Sequence, residues 1–196
     1  MRLLIASHNL GKQEEVLSLL AGLGLELIVP QQLPELKSLT VNESGQTICE
    51  NARLKAIAFS QKTKLSALAD DSCLQIEALD GLPGVHSKRF FPGSGSDRNQ
   101  EILKRLSGQS SRQAVFSACL CLAESHRLDR PEYFEGQVRG TIAMSELGNA
   151  GFDYDRIFIP DGHRQTFAQL GIVAKNKLSH RYQALIKLKA YLVQHA

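Results

Sequence analysis

The opening segment restricts the fold more than any other part of the chain. Leu3–Ala6 is a short apolar run that reads as a buried strand, and Ser7-His8-Asn9-Leu10-Gly11-Lys12 is the turn after it. Val16, Leu19, Leu20 and Leu23 then recur at helical spacing, Gly22 and Gly24 supply the stop, and Leu25–Val29 is a second strand ended by Pro30. A strand, a turn, an amphipathic helix and a second strand form the opening of an α/β fold.

The remaining elements extend that pattern. Gln31–Gly45 is a polar loop, and Thr47 with Glu50 reads as the capping box of a helix whose apolar stripe is Cys49, Ala52, Ala56 and Phe59. Leu65–Ala69 is a short strand that runs into Asp70-Asp71-Ser72, and Gly81-Leu82-Pro83-Gly84 is a turn. Phe90–Asp97 reads as a Gly- and Ser-rich loop, with Asp97 capping a helix that ends at Leu106. Ala114–Leu122 is near-continuously apolar, as a central strand is. Tyr133–Ile142 alternates, with Phe134, Gly136, Val138, Gly140 and Ile142 on one face. Gly148–Gly162 is a loop-strand-loop region, and Ser179 caps a last helix with the stripe Tyr182, Leu185, Leu188 and Leu192. At 196 residues the expected organisation is one domain over residues 1–196.

Composition then removes whole classes of function. With 43% apolar residues and no tryptophan, the chain sits near the globular average and is neither disordered nor a disulfide scaffold. A net charge of +3 is too mild for a nucleic-acid groove. The longest apolar run, Ala118–Ala123, is far short of the ~20 residues of a spanning helix, and the N-terminal run, broken by Ser7, His8 and Asn9, does not read as a signal peptide. Cys49, Cys73, Cys119 and Cys121 form no C-x-x-C pair, so buried thiols in a reducing compartment are expected and the location reads as cytoplasmic. P-loop, dinucleotide-fingerprint, nucleophile-elbow and zincin motifs are all missing from the sequence.

Polar residues at strand ends and helix starts carry the chemistry. The Ser7–Lys12 turn, followed by a helix N-terminus and bearing a lysine, suits a phosphate. Asp70 and Asp71 repel each other unless a cation is near, and hard carboxylate oxygens suit Mg²⁺; one Asp is expected at the metal or the attacking water, the other supporting the loop. In Phe152-Asp153-Tyr154-Asp155 two aromatics alternate with two acids, which suits a stacked base. Lys175, then Ser179-His180-Arg181 at a helix start, present cations that an anion or a polar base edge would compensate.

Taken in order, these blocks resemble one family along the chain, from about residue 3 to 192. They are Ala6–Lys12, Glu50–Ala56, Ala69–Ser72 with Gly81–Ser87, Gly151–Phe158 and Lys175–Arg181. The family is that of the inosine/xanthosine triphosphate pyrophosphatases. The resemblance implies an elongated, two-lobed mixed β-sheet flanked by helices, with the active site in the cleft between lobes and a homodimeric assembly. It also implies Mg²⁺-dependent conversion of ITP, dITP or XTP to the monophosphate and pyrophosphate.

Carried over by position, Ser7, His8, Asn9, Leu10, Gly11 and Lys12 would hold the triphosphate, and Asp71 would be general base and Mg²⁺ ligand. Ser72 would contact substrate, while Phe152, Asp153, Tyr154 and Asp155 would line the nucleoside pocket, with Phe152 stacking on the base. Lys175, His180 and Arg181 would complete the pocket and read the base. The resemblance also implies a second metal carboxylate from the loop before the Glu50 helix, for which Glu43 is the choice and Glu35 the alternative. A donor such as Arg181 or protonated His180 can donate to the carbonyl oxygen of a 6-keto purine but not to the exocyclic amine of a 6-amino one. Cys73, Asp153 and Arg156 depart from the family pattern, and Arg156 is the expected partner of the Asp153 carboxylate. The alternatives are a catalytically weak nucleotide-binding or sensing protein of the same fold, and a pyrophosphatase for a modified pyrimidine.

Overall fold

The computed structural model describes residues 2–195. Its opening segment is β1 (Arg2–Ile5), α1 (Leu10–Leu20) and β2 (Glu26–Ile28). There follow α2 (Ile48–Thr63), β3 (Ser66–Ile76), β4 (Pro83–Gly84), α3 (Gly95–Arg105), β5 (Gln113–Ala123), β6 (Glu132–Ile142), β7 (Phe158–Pro160), α4 (Phe167–Leu178) and α5 (His180–Gln194). The strands form one mixed sheet in the order β2-β1-β3-β5-β6-β7, with β4 beside β3. β1 runs parallel to both β2 and β3, whereas β4 is antiparallel to β3 and β7 to β6. A strand with neighbours on both edges and helices on both faces must be apolar throughout, and Leu3, Leu4 and Ile5 are all buried.

Contacts group the chain into two units. The first comprises the residues up to Asp71, Ala118–Gly136 and those from Arg181 on. Its core has two parts, set by strand alternation. Leu3 and Ile5 pack with Leu20 of α1 and Leu185 and Leu188 of α5. Leu4 and Ala6 pack with Ala52, Ala56 and Phe59 of α2. The capping box of α2 forms as expected: Thr47 Oγ1 accepts from Glu50 N at 3.1 Å, and a Glu50 carboxylate oxygen accepts from Thr47 N at 3.3 Å. The second unit, Ser72–Ser117 and Gln137–His180, is built around Leu74, Ile76, Ile102, Phe116, Tyr154, Phe158 and Phe167.

Four expectations need correction. β3 does not stop before the acidic pair; Asp70 and Asp71 lie inside the strand, and both are buried. Ser94, not Asp97, caps α3: Ser94 Oγ accepts from Asp97 N, and Asp97 is the reciprocal partner of the box. α4 falls where no helix is expected. Its Gly171 breaks the helical dihedrals (φ 80°), and the exposed Ile172 and Val173 obscure the stripe of Phe167, Leu170 and Leu178 that packs on the core. Finally, the cysteines are not four thiols: Cys49 and Cys119 are joined by a disulfide, and Cys73 and Cys121 are free and buried. The bond spans 70 residues and links a helix start to a central strand, a pairing no local spacing announces.

Candidate active site

In the first unit, the Ser7–Lys12 turn is ordered by its own side chains. Asn9 is the N-cap of α1; its Oδ1 accepts from Lys12 N at 3.1 Å, and Ser7 Oγ accepts from Asn9 N at 3.2 Å. Gln13 Nε2 donates to Ser7 O at 2.6 Å, which closes the turn from within the helix. His8 lies 3.3 Å from Leu39 O and tilts against Phe59, while Leu10 is exposed. Gly11 lies in the first turn of α1.

Lys12 reaches from α1 to β3, its Nζ 3.0 Å from Asp70 Oδ2. Burial lowers the Lys12 pKa, and Asp70 only partly offsets it, so this ammonium is short of negative charge. The same Asp70 oxygen accepts from Arg181 Nε at 2.7 Å, and Arg181 Nη1 donates to Glu15 at 2.5 Å. Burial alone would raise the Asp70 pKa; Arg181 and Lys12 outweigh it and hold the carboxyl well below the usual range. Arg181 itself is pushed up, since Asp70 and Glu15 overcome its desolvation. Asp70 Oδ1 is buried and without a hydrogen-bond partner among the described residues.

Alternation along β3 sends the next side chain the other way. Asp71 Oδ1 accepts from Lys55 Nζ at 2.8 Å, and Glu43 stands 3.3 Å from the same nitrogen. Burial works against the Lys55 ammonium, but Asp71 and Glu43 together keep its pKa above the ordinary value. Two carboxylates that converge on one cation are a hard-oxygen donor set, which suits Mg²⁺. Among the described residues no three His, Cys, Asp or Glu side chains gather into a cage. Mg²⁺ commonly takes only one or two carboxylates, with water and phosphate completing its shell, so the pair fits it. Glu35 is exposed on a short 3₁₀ turn, Pro34–Leu36, outside this grouping.

The second unit holds the remaining candidates. Phe152–Asp155 forms a tight turn in which Asp155 Oδ2 accepts from Phe152 N at 2.8 Å and from Lys175 Nζ at 2.7 Å. A side chain at Gly151, where φ is +75°, would collide with that carboxylate. The Lys175 ammonium also sits 4.2 Å from the Phe152 ring centroid. Tyr154 is buried, its hydroxyl donating to Ser87 O at 2.5 Å and its ring edge-on to Phe116, and burial pushes its pKa up. His180 stacks on Phe116 at 4.0 Å, and Ser72 is half-buried on β3.

The Asp153 carboxylate is not paired with Arg156. Arg98 of α3 donates to it at 2.9 Å, and Asn99 donates to the Asp153 carbonyl at 3.1 Å. Against its burial, Glu146 is held below its ordinary pKa chiefly by hydrogen bonds from Ser96, Asn99 and Gln100, with a smaller contribution from the charge of Arg156. Sequence reasoning gave no role to Glu15, Lys55, Arg98 or Asn99. Glu15 follows Lys12 by three residues and so shares its helix face, a signal that was there to read. Lys55 lies off the apolar stripe of α2. Nothing local marks Arg98.

The family model of the Ham1 family matches residues 3–191. A dITP/XTP pyrophosphatase from Prochlorococcus marinus (strain MIT 9313) is 45% identical, covering 91% of this chain and 85% of its own. One from Aquifex aeolicus is 37% identical over 96% of this chain and 95% of its own. Among solved structures, a HAM1 protein from Coxiella burnetii superposes with a TM-score of 0.90 at 35% identity, covering 99% of each chain. The Staphylococcus aureus Ham1 protein gives 0.88 at 31% identity over 100% of each.

Proposed function

The chain belongs to the Ham1 family, and from that premise we propose that it is a dITP/XTP pyrophosphatase, hydrolysing ITP, dITP and XTP to the monophosphate and pyrophosphate. The relatives that share nearly its full length carry that activity in their names. The observation that carries the reading is the pairing of each aspartate of β3 with its own lysine, Asp70 with Lys12 and Asp71 with Lys55.

Asp71 is the general base. Lys55 fixes one of its oxygens, and the carboxylate takes the proton of the water that attacks the α-phosphorus. Glu43 and Asp71 would hold Mg²⁺, which when bound supplies charge neutralisation for the pyrophosphate leaving group. Lys12, desolvated and only partly compensated by Asp70, gains from an anionic ligand and is assigned to the triphosphate, with the N-terminus of α1 behind it. Phe152 is assigned to the base, its ring fixed by Lys175 and Asp155.

His180 is assigned as the buried donor opposite the 6-keto oxygen, since a donor there bonds a carbonyl oxygen and not an exocyclic amine. Arg181 commits Nε and Nη1 to Asp70 and Glu15. Its proposed part is to hold Asp70 behind Lys12. A homodimer and a cytoplasmic location complete the reading. The location follows from the place of nucleotide pools and not from reduced cysteines, since Cys49 and Cys119 are bonded to each other. Among the described residues no helix is long and apolar enough to cross a membrane. The test is a nucleotide panel with Mg²⁺, scored separately for pyrophosphate and orthophosphate. Binding of ITP without turnover would instead identify a sensing protein.

A further inference from the structure

Asp153 combines two features that are unfavourable in a nucleotide pocket. It is a non-glycine residue in the left-handed region (φ 50°), and it brings a partly exposed carboxylate beside Phe152, the residue assigned to the base. Both are answered from α3. Arg98 Nη2 donates to Asp153 Oδ1 at 2.9 Å, while its Nη1 donates to Gly93 O at 3.0 Å and so holds the guanidinium in place. Asn99 Nδ2 donates to Asp153 O at 3.1 Å and to Glu146 Oε1 at 2.6 Å. Glu146 also accepts from Ser96 Oγ at 2.7 Å, which ties the start of α3 to the same carboxylate. Arg98 and Asn99 are buried, as a side chain held for geometry is.

We propose that Arg98 and Asn99 are positioning residues for nucleotide binding: Asn99 holds the backbone of the Phe152–Asp155 turn, and Arg98 cancels the Asp153 charge that would otherwise repel a triphosphate. The proposal rests on the assignment of that turn to the nucleoside. Without Arg98, Asp153 presents an uncompensated negative charge to an anionic ligand. The defect then belongs to Asp153, and removing Asp153 removes it.

The experiment measures the Kd of a non-hydrolysable α,β-methylene inosine triphosphate by calorimetry, with melting temperature as the folding control. Arg98→Gln weakens binding about tenfold, and the loss shrinks in raised salt, which screens charge. Adding Asp153→Gly to Arg98→Gln recovers most of the affinity. An unchanged Kd in Arg98→Gln, or a double variant as weak as the single, overturns the proposal. Should Arg98→Gln not fold, Asp153→Asn decides: it leaves Arg98 unneutralised and tightens binding, and a weaker or unchanged Kd overturns the proposal. Pyrophosphate release by the unaltered protein is scored separately, so a failure of the enzymatic reading is distinct from a failure of this one.

Discussion

Lys55 Nζ donates to Asp71 Oδ1 across 2.8 Å, and Glu43 approaches the same nitrogen at 3.3 Å. One ammonium therefore fixes both carboxylates assigned to water activation and to the metal. Lys55→Met leaves them to repel each other and frees the rotamer of Asp71. Steady-state kinetics on dITP should show kcat reduced by about 10–100-fold, the range of a mispositioned catalytic group. Lys55→Arg should restore part of the loss; equal losses in both would show that charge at this place is irrelevant.

Asp70 carries a pH signature. Its pKa is depressed in the folded protein, so the stabilisation is complete above the ordinary carboxylate value of about 3.9 and is lost as pH falls below it toward the folded value. Urea unfolding between pH 2 and 6 should show stability dropping steeply with acid. In Asp70→Asn the drop should be shallower, and at neutral pH the variant should be weaker by about 3–5 kcal/mol, since Arg181 and Lys12 lose a buried partner.

Lys12 titrates in the opposite sense. Its pKa is lowered by burial, so raising pH discharges it sooner than an ordinary lysine. Binding of a non-hydrolysable triphosphate should weaken with alkaline pH below the usual lysine range. Lys12→Gln should bind more weakly throughout and lose that component of the pH dependence.

Much of the first unit was legible in the sequence, for definite physical reasons. An apolar strand followed by a polar turn and a 3.6-residue period leaves few folds open, and Thr47 with Glu50 is a reciprocal cap readable from two residues. The continuation of β3 through Asp70 and Asp71 was not legible, because charges inside a strand read as a loop end. Their cations lie on α1, α2 and α5, between 16 and 111 residues away in sequence. α4 was hidden because Gly171 interrupts it and the exposed Ile172 and Val173 blur the stripe that buries Phe167. The Arg98–Asp153 pair joins residues 55 apart, whereas Arg156, nearer in sequence, is not the partner of that carboxylate.

The Cys49–Cys119 bond closes a loop of 70 residues, for which the loop-entropy relation gives about 4 kcal/mol. Dithiothreitol should lower the melting temperature of the unaltered protein by roughly 10 °C and leave Cys49→Ser unmoved. Thiol titration after unfolding without reductant should find Cys73 and Cys121 reactive and the other pair silent.

Asp71 is assigned as the base of a pyrophosphate-releasing hydrolysis, and pyrophosphate measured from dITP, XTP, dATP and dGTP with Mg²⁺ tests that assignment most directly. The unaltered protein should release pyrophosphate, without orthophosphate, from dITP and XTP far faster than from the other two. Asp71→Asn, folded by its melting curve, should lose about 10²–10⁴-fold in rate, the usual contribution of a general base. Release of orthophosphate, or an Asp71→Asn protein as fast as the unaltered one, would contradict it.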